Sequence, residues 1–189
     1  MNPDKPNSAL RARAIESLLL EKGLVTPEAI DAVVSLIEHD LGPLNGARVV
    51  ARAWCDPEYK TRLLTDANAA LEELGITVPT ELIVVENTAH IHNVLVCTLC
   101  SCYPWTLLGL PPSWYKSPEY RARVVIEPRA VLAEFGLHLS ESTEIRVWDS
   151  TAETRYLVLP RRPARTQHWT ADDLVSIITR DAMVGVAQP

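Results

Sequence analysis

Three of the four cysteines in this 189-residue chain fall within the run Val96-Cys97-Thr98-Leu99-Cys100-Ser101-Cys102. The spacing is C-x-x-C-S-C, and it follows directly on the apolar run Ile91 to Val96, which reads as a strand. The cysteines therefore sit just past a predicted strand end, in a loop. Soft thiolates crowded in this way point first to a metal site. Between Cys100 and Cys102 the only further donors are the backbone nitrogens of Ser101 and Cys102. Two sulfurs and two deprotonated amides could hold an ion in one plane, with Cys97 adding a third sulfur from below. A sixth, open position would then suit Lewis-acid chemistry. Other readings of the same spacing stay open. Structural zinc would need a fourth ligand, His90 or His92. An iron–sulfur cluster would want a fourth cysteine, and Cys55 lies far upstream. A Cys97–Cys100 disulfide would need an oxidising compartment.

The remaining chain divides by pattern. The first third reads as helices: Ser8 capping Ala9 to Lys22, Thr26-Pro27-Glu28 opening a helix to about Asp40, and Leu44 to Trp54. Asp56-Pro57 opens another helix toward Leu64, and Ala67 to Leu74 ends at Gly75. From Leu82 the pattern changes to short β-branched runs, Leu82 to Val85 and Ile91 to Val96, with later strands at Ile145 to Trp148 and Arg155 to Leu159. Pro104, Gly109, Pro111 and Pro112 predict an irregular segment after the cysteines. Ser117-Pro118-Glu119 opens a helix near Tyr120, another runs from Pro128 to Glu134, and Thr170 caps a last helix to about Arg180. The expected class is α+β, with helices over residues 1–80 that could pack as an internal bundle or form an arm over a partner chain, and a metal-binding domain over 81–189.

Composition narrows the function. Hydrophobic residues make up 47% and charged residues 22%, an ordinary globular balance. A net charge of -6 without a Lys/Arg cluster argues against nucleic acid as a partner. No apolar run approaches the ~20 residues of a membrane span, and Met1 to Asn7 has no signal-peptide pattern. A cytoplasmic location is expected. Cys55, after Trp54 in a helical pattern, reads as a buried apolar side chain.

The run from Val96 to Trp105 and the following Leu108-Gly109-Leu110-Pro111-Pro112-Ser113-Trp114 resemble the metal-binding claw of nitrile hydratase alpha subunits. The resemblance continues through Tyr120 to Val125, Glu127 to Arg129, Glu144 to Asp149, Thr154 to Tyr156 and Val184 to Val186. It implies a layered α-β-β-α fold whose helical arm reaches over a beta subunit. Cys97 would be the axial thiolate, Cys100 a sulfinic acid and Cys102 a sulfenic acid. The backbone nitrogens of Ser101 and Cys102 would complete the ligands. Cys100, Ser101 and Cys102 would carry the catalysis, hydration of a nitrile to its amide, while Trp105 and Trp114 could line the substrate pocket. Thr98 and Tyr103 match the cobalt type of the family, so cobalt(III) is expected ahead of iron(III). The same resemblance implies an alpha2beta2 assembly, two beta-subunit arginines on the oxidised sulfurs and an activator protein that delivers cobalt. The gamma subunit of thiocyanate hydrolase shares the claw but tends to place a basic residue where this chain has Trp105. A zinc-binding interaction subunit is the alternative of another class.

Overall fold

The computed structural model describes residues 8–35 and 42–189, which fall into two separate compact units, one before and one after residue 40/41. The first holds α1 (Ser8–Glu21) and α2 (Pro27–Ser35). Thr26 caps α2 as the sequence predicts, its Oγ1 accepting from the Ala29 N–H at 3.2 Å. The expected continuation of this helix to Asp40, and the polar segment Met1 to Asn7, lie outside the described residues. None of the side chains of α2 is buried. Leu10, Ile15, Leu18, Val33 and Val34 stand exposed on the two helices.

The second unit contains α3 (Pro43–Cys55), α4 (Pro57–Thr65), α5 (Ala67–Glu72) and the four strands found among the described residues. Contacts therefore group α3–α5 with the strands, whereas the sequence pattern draws its boundary at residue 80. Asp56 and Asp66 start α4 and α5 by accepting from Tyr59 N and Ala69 N, satisfying amide groups that a helix start leaves unpaired. Cys55 is exposed, correcting the expectation that it is buried. It is the last residue of α3, where the chain turns away from the core into the Asp56 cap.

The strands form two parallel pairs. β1 (Glu81–Glu86) pairs with β4 (Thr154–Leu159), and β2 (Ile91–Val96) pairs with β3 (Glu144–Asp149). Parallel partners need a long crossover. The β2–β3 crossover carries the cysteine loop, α6 (Trp105–Leu108), α7 (Pro118–Arg123) and α8 (Pro128–Glu134). The single turn of α6 stands where the prolines predict irregular chain; Pro104 begins that turn and Gly109, at φ 70, ends it. A 3-10 turn, Ala164–Thr166, follows β4. The expected last helix divides into α9 (Ala171–Val175) and α10 (Arg180–Val184), because Thr179 opens a new start with its side chain on Ala182 N.

Two glycines allow the approaches that bring the loop into place. A side chain at Gly46 in α3 would lie 2.7 Å from the Leu107 carbonyl, so α3 can press against α6 only without one. Gly185, at φ +94, sits so close to β2 that a Cβ would be 2.0 Å from the Asn93 carbonyl oxygen. Its own carbonyl accepts from His92 Nε2 at 2.7 Å. His92, Asn87 and Asn93 are buried together: Asn87 Oδ1 accepts from Asn93 N (2.7 Å) and Asn93 Nδ2 (2.9 Å), and Trp148 Nε1 donates to Asn93 Oδ1. This polar knot ties β1, β2, β3 and the chain after α10 together just ahead of the cysteines.

Gly185→Ala is expected to lower stability by about 3 kcal/mol or more, since both the left-handed φ and the backbone clash oppose it; a thermal or denaturant melt reads the loss. Burial holds the His92 pKa below 6.5, with the Gly185 carbonyl opposing only in part. The unfolded chain thus binds more protons over the interval between the depressed folded value and 6.5, so stability is full above that interval and declines as pH falls through it. His92→Gln should flatten that slope in melts taken as a function of pH.

Candidate metal centre

The register of β2 with β3 sets the site. Val96 pairs with Asp149, so both strands end at the same edge, and Ser150 N donates to the Val96 carbonyl at 2.7 Å. The chain leaves β2 into Cys97, which is 1% exposed. Thr98 then meets the Asp149 carboxylate through both its N–H (2.9 Å) and its hydroxyl (2.6 Å). The loop folds back so that Cys100 N donates to Cys97 Sγ at 3.3 Å.

The three sulfurs converge. All lie within 4.8 Å of one another, with Cys97 Sγ to Cys100 Sγ at 3.4 Å and Cys100 Sγ to Cys102 Sγ at 3.2 Å, and all three are free thiols. Cys97 is buried beneath, Cys102 is half-buried and Cys100 is exposed. Like charges cannot accumulate at such distances without a cation. Hydrogen bonds from the Cys102 and Cys97 thiols, aided by the Ser101 N–H, pull the Cys100 pKa down to about 7. Desolvation, followed by the neighbouring Cys100 sulfur, pushes that of Cys102 up to about 12.

The following segment clamps the loop's carbonyls. Tyr115 donates its hydroxyl to the Cys102 carbonyl at 2.9 Å, and Arg121 Nη1 donates to the Cys100 carbonyl at 2.9 Å. Tyr120 donates to the Leu95 carbonyl at 2.6 Å, fixing the strand that leads in. A cavity of about 350 Å³ opens over Cys100, Ser101 and Cys102, walled by Trp105, Leu110, Pro111, Tyr103 and Arg155. Trp105 therefore stands at the mouth of the site, whereas Trp114 lies away from it, packed edge-on against Tyr115, Tyr120 and Phe135 at 4.8–5.9 Å. His92 serves the buried knot, and His90 stands exposed ahead of the strand. Arg123 pairs within the chain with Glu127 and Glu134, and Arg129 donates to the carbonyls of Leu139, Ser140 and Thr143.

A family model described as nitrile hydratase, alpha chain, matches residues 6–187. The chain belongs to the nitrile hydratase alpha-chain family. It is 54% identical over 183 residues to the low-molecular-weight cobalt-containing nitrile hydratase subunit alpha of Rhodococcus rhodochrous, covering 96% of this chain and 88% of that one. It is 46% identical over 189 residues to the thiocyanate hydrolase subunit gamma of Thiobacillus thioparus, covering 93% and 77%. Among solved structures, a double mutant of the Fe-type nitrile hydratase from Comamonas testosteroni Ni1 superposes with a TM-score of 0.92 at 46% identity, over 97% of this chain and 92% of that chain. The α+β reading and the placement of the claw after a strand hold, with the strands arranged as two parallel pairs. No helix among the described residues is long and apolar enough to cross a membrane.

Sequence reasoning missed Asp149, Tyr115 and the role of Arg121, which reach the loop from 13 to 51 residues away. Only the strand register shows that Asp149 ends level with Val96. Asp149→Ala should cost about 1–2 kcal/mol, discounted for exposure, and should speed hydrogen exchange at the Thr98 amide; Asp149→Asn should keep most of that protection.

Proposed function

We propose that this chain is the alpha subunit of a cobalt-type nitrile hydratase, converting a nitrile to its amide in company with a beta subunit. The observation that carries the reading is the convergence of the Cys97, Cys100 and Cys102 sulfurs within 4.8 Å of one another in a loop after a strand, in a chain of the nitrile hydratase alpha-chain family. Cys97, Cys100 and Cys102, with the backbone nitrogens of Ser101 and Cys102, would hold the ion. Thr98 and Tyr103, both present in this chain, support cobalt(III) over iron(III) by resemblance.

When bound, the ion supplies Lewis acidity that makes a nitrile carbon electrophilic. The chain's own residues do the rest. Cys97, sealed from solvent, keeps its sulfur reduced, while the accessible Cys100 and Cys102 are the two open to oxidation. An oxygen carried on Cys102 Sγ would face the cavity, placed either to attack the nitrile carbon or to take a proton from an attacking water. Trp105, Leu110 and Pro111 present an apolar wall beside the Arg155 side chain. Trp105, where the thiocyanate enzyme tends to carry a basic residue, favours nitriles over thiocyanate, the substrate named for the gamma-subunit relative. The exposed apolar residues of α1 and α2 support the reading of an N-terminal arm for the beta subunit in an alpha2beta2 assembly. A cytoplasmic location and a cobalt-delivering activator protein complete the proposal.

The test is elemental analysis and assay of the chain purified with its partner. Near-stoichiometric cobalt and turnover of nitriles but not thiocyanate are expected, and Cys102→Ala should abolish turnover. Zinc on intact thiols would overturn the proposal in favour of a structural site.

A further inference from the structure

We infer that Arg121 is a positioning and charge-compensating residue for metal uptake, acting through the peptide bond between Cys100 and Ser101. The inference rests on the claw reading above, in which the Ser101 nitrogen binds the ion. Binding through that nitrogen exchanges its N–H bond for a nitrogen–metal bond. The proton passes to water, and the electron pair left behind is shared across the peptide plane with the Cys100 carbonyl oxygen. That oxygen is the atom on which Arg121 Nη1 rests, at 2.9 Å. A guanidinium there strengthens its hydrogen bond as the oxygen gains charge, and it holds the peptide plane with its nitrogen turned toward the sulfurs.

The choice of donors around the loop supports this assignment. The Cys102 carbonyl belongs to the Cys102–Tyr103 peptide, two peptides on, whose nitrogen is that of Tyr103 and is no ligand; there the chain places a neutral donor, the Tyr115 hydroxyl. The cationic donor stands on Cys100–Ser101, one of the two peptides that would carry charge. Arg121 has no carboxylate partner among the described residues, unlike Arg123 two positions on, which is held by Glu127 and Glu134. Its Nε is moreover buried without a hydrogen-bond partner. Such an orphaned donor costs stability, so the fold alone gives little reason to keep an arginine here. Its tether is short: α7 begins at the Ser117 cap, whose Oγ accepts from Tyr120 N at 3.1 Å, and Tyr120 anchors the helix to Leu95. Arg121 is thereby aimed at the loop by the residue before it.

The experiment compares the unaltered chain with Arg121→Lys and Arg121→Gln, each produced with the beta subunit under the same limiting cobalt. The readouts are cobalt per chain, the energy of the sulfur-to-cobalt charge-transfer absorption, and the melting temperature of metal-free protein. Arg121→Gln keeps a donor and removes the charge. It should lower cobalt uptake about tenfold, the scale of one charge-assisted hydrogen bond, and shift the absorption of the cobalt that is bound. Arg121→Lys should restore most of the uptake. Unchanged cobalt content and an unshifted band in Arg121→Gln would overturn the assignment while leaving the claw intact. So would equal losses in Gln and Lys accompanied by a lowered melting temperature, which indicate a packing role. Absence of cobalt from the unaltered complex would overturn the claw reading, and this inference with it.

Discussion

The parallel pairing of β2 with β3 is the constraint on which the site depends. It brings two strand ends to one edge, so that the loop leaving Val96 meets the acid at the end of its neighbour. Asp149 accepts both the amide and the hydroxyl of Thr98, and this is the first fixed point after Cys97. Parallel neighbours also force a long return path, and the chain uses that path to build the cavity wall. Trp105, Leu110 and Pro111 lie on it, as do the donors Tyr115 and Arg121.

Burial then places three chemically identical side chains in different surroundings. Cys97 lies beneath the loop within the core, Cys102 at its flank and Cys100 at its surface. A gradient of access across so few residues is possible because the loop leaves a buried strand steeply. Sulfur chemistry follows access as well as ionisation, and the fold gives the three sulfurs different access to solvent.

Much of this was legible in the residues. The caps at Thr26, Asp56, Ser117 and Thr170 were readable because a capping side chain and the amide it binds lie three positions apart. The cysteine cluster was readable for the same reason: its sulfurs lie close together along the chain. What escaped notice depends on distance along the chain. Asp149 looks like any strand-end acid until the register with Val96 is known. Arg121 looks like a solvated helix residue until the loop folds back toward α7. The division between α9 and α10 escaped because Ser176 to Ile178 carry no glycine or proline, and the break is made instead by the Thr179 cap. Cys55 misled because its place in a helical pattern suggested a buried face, whereas it is the last residue of α3 and stands exposed.

The contact at Gly185 bears on the order of events in the making of this site. Its carbonyl binds His92, 93 residues earlier, and its missing side chain leaves room for the strand that feeds the cysteines. While a growing chain still lacks Gly185, β2 has no lid over this face and His92 no acceptor. The cysteines are made well before Gly185, so the platform beneath them is completed only after they have left the ribosome's active centre. A metal arriving during synthesis would meet three loose thiols. One arriving after release meets the preformed cluster.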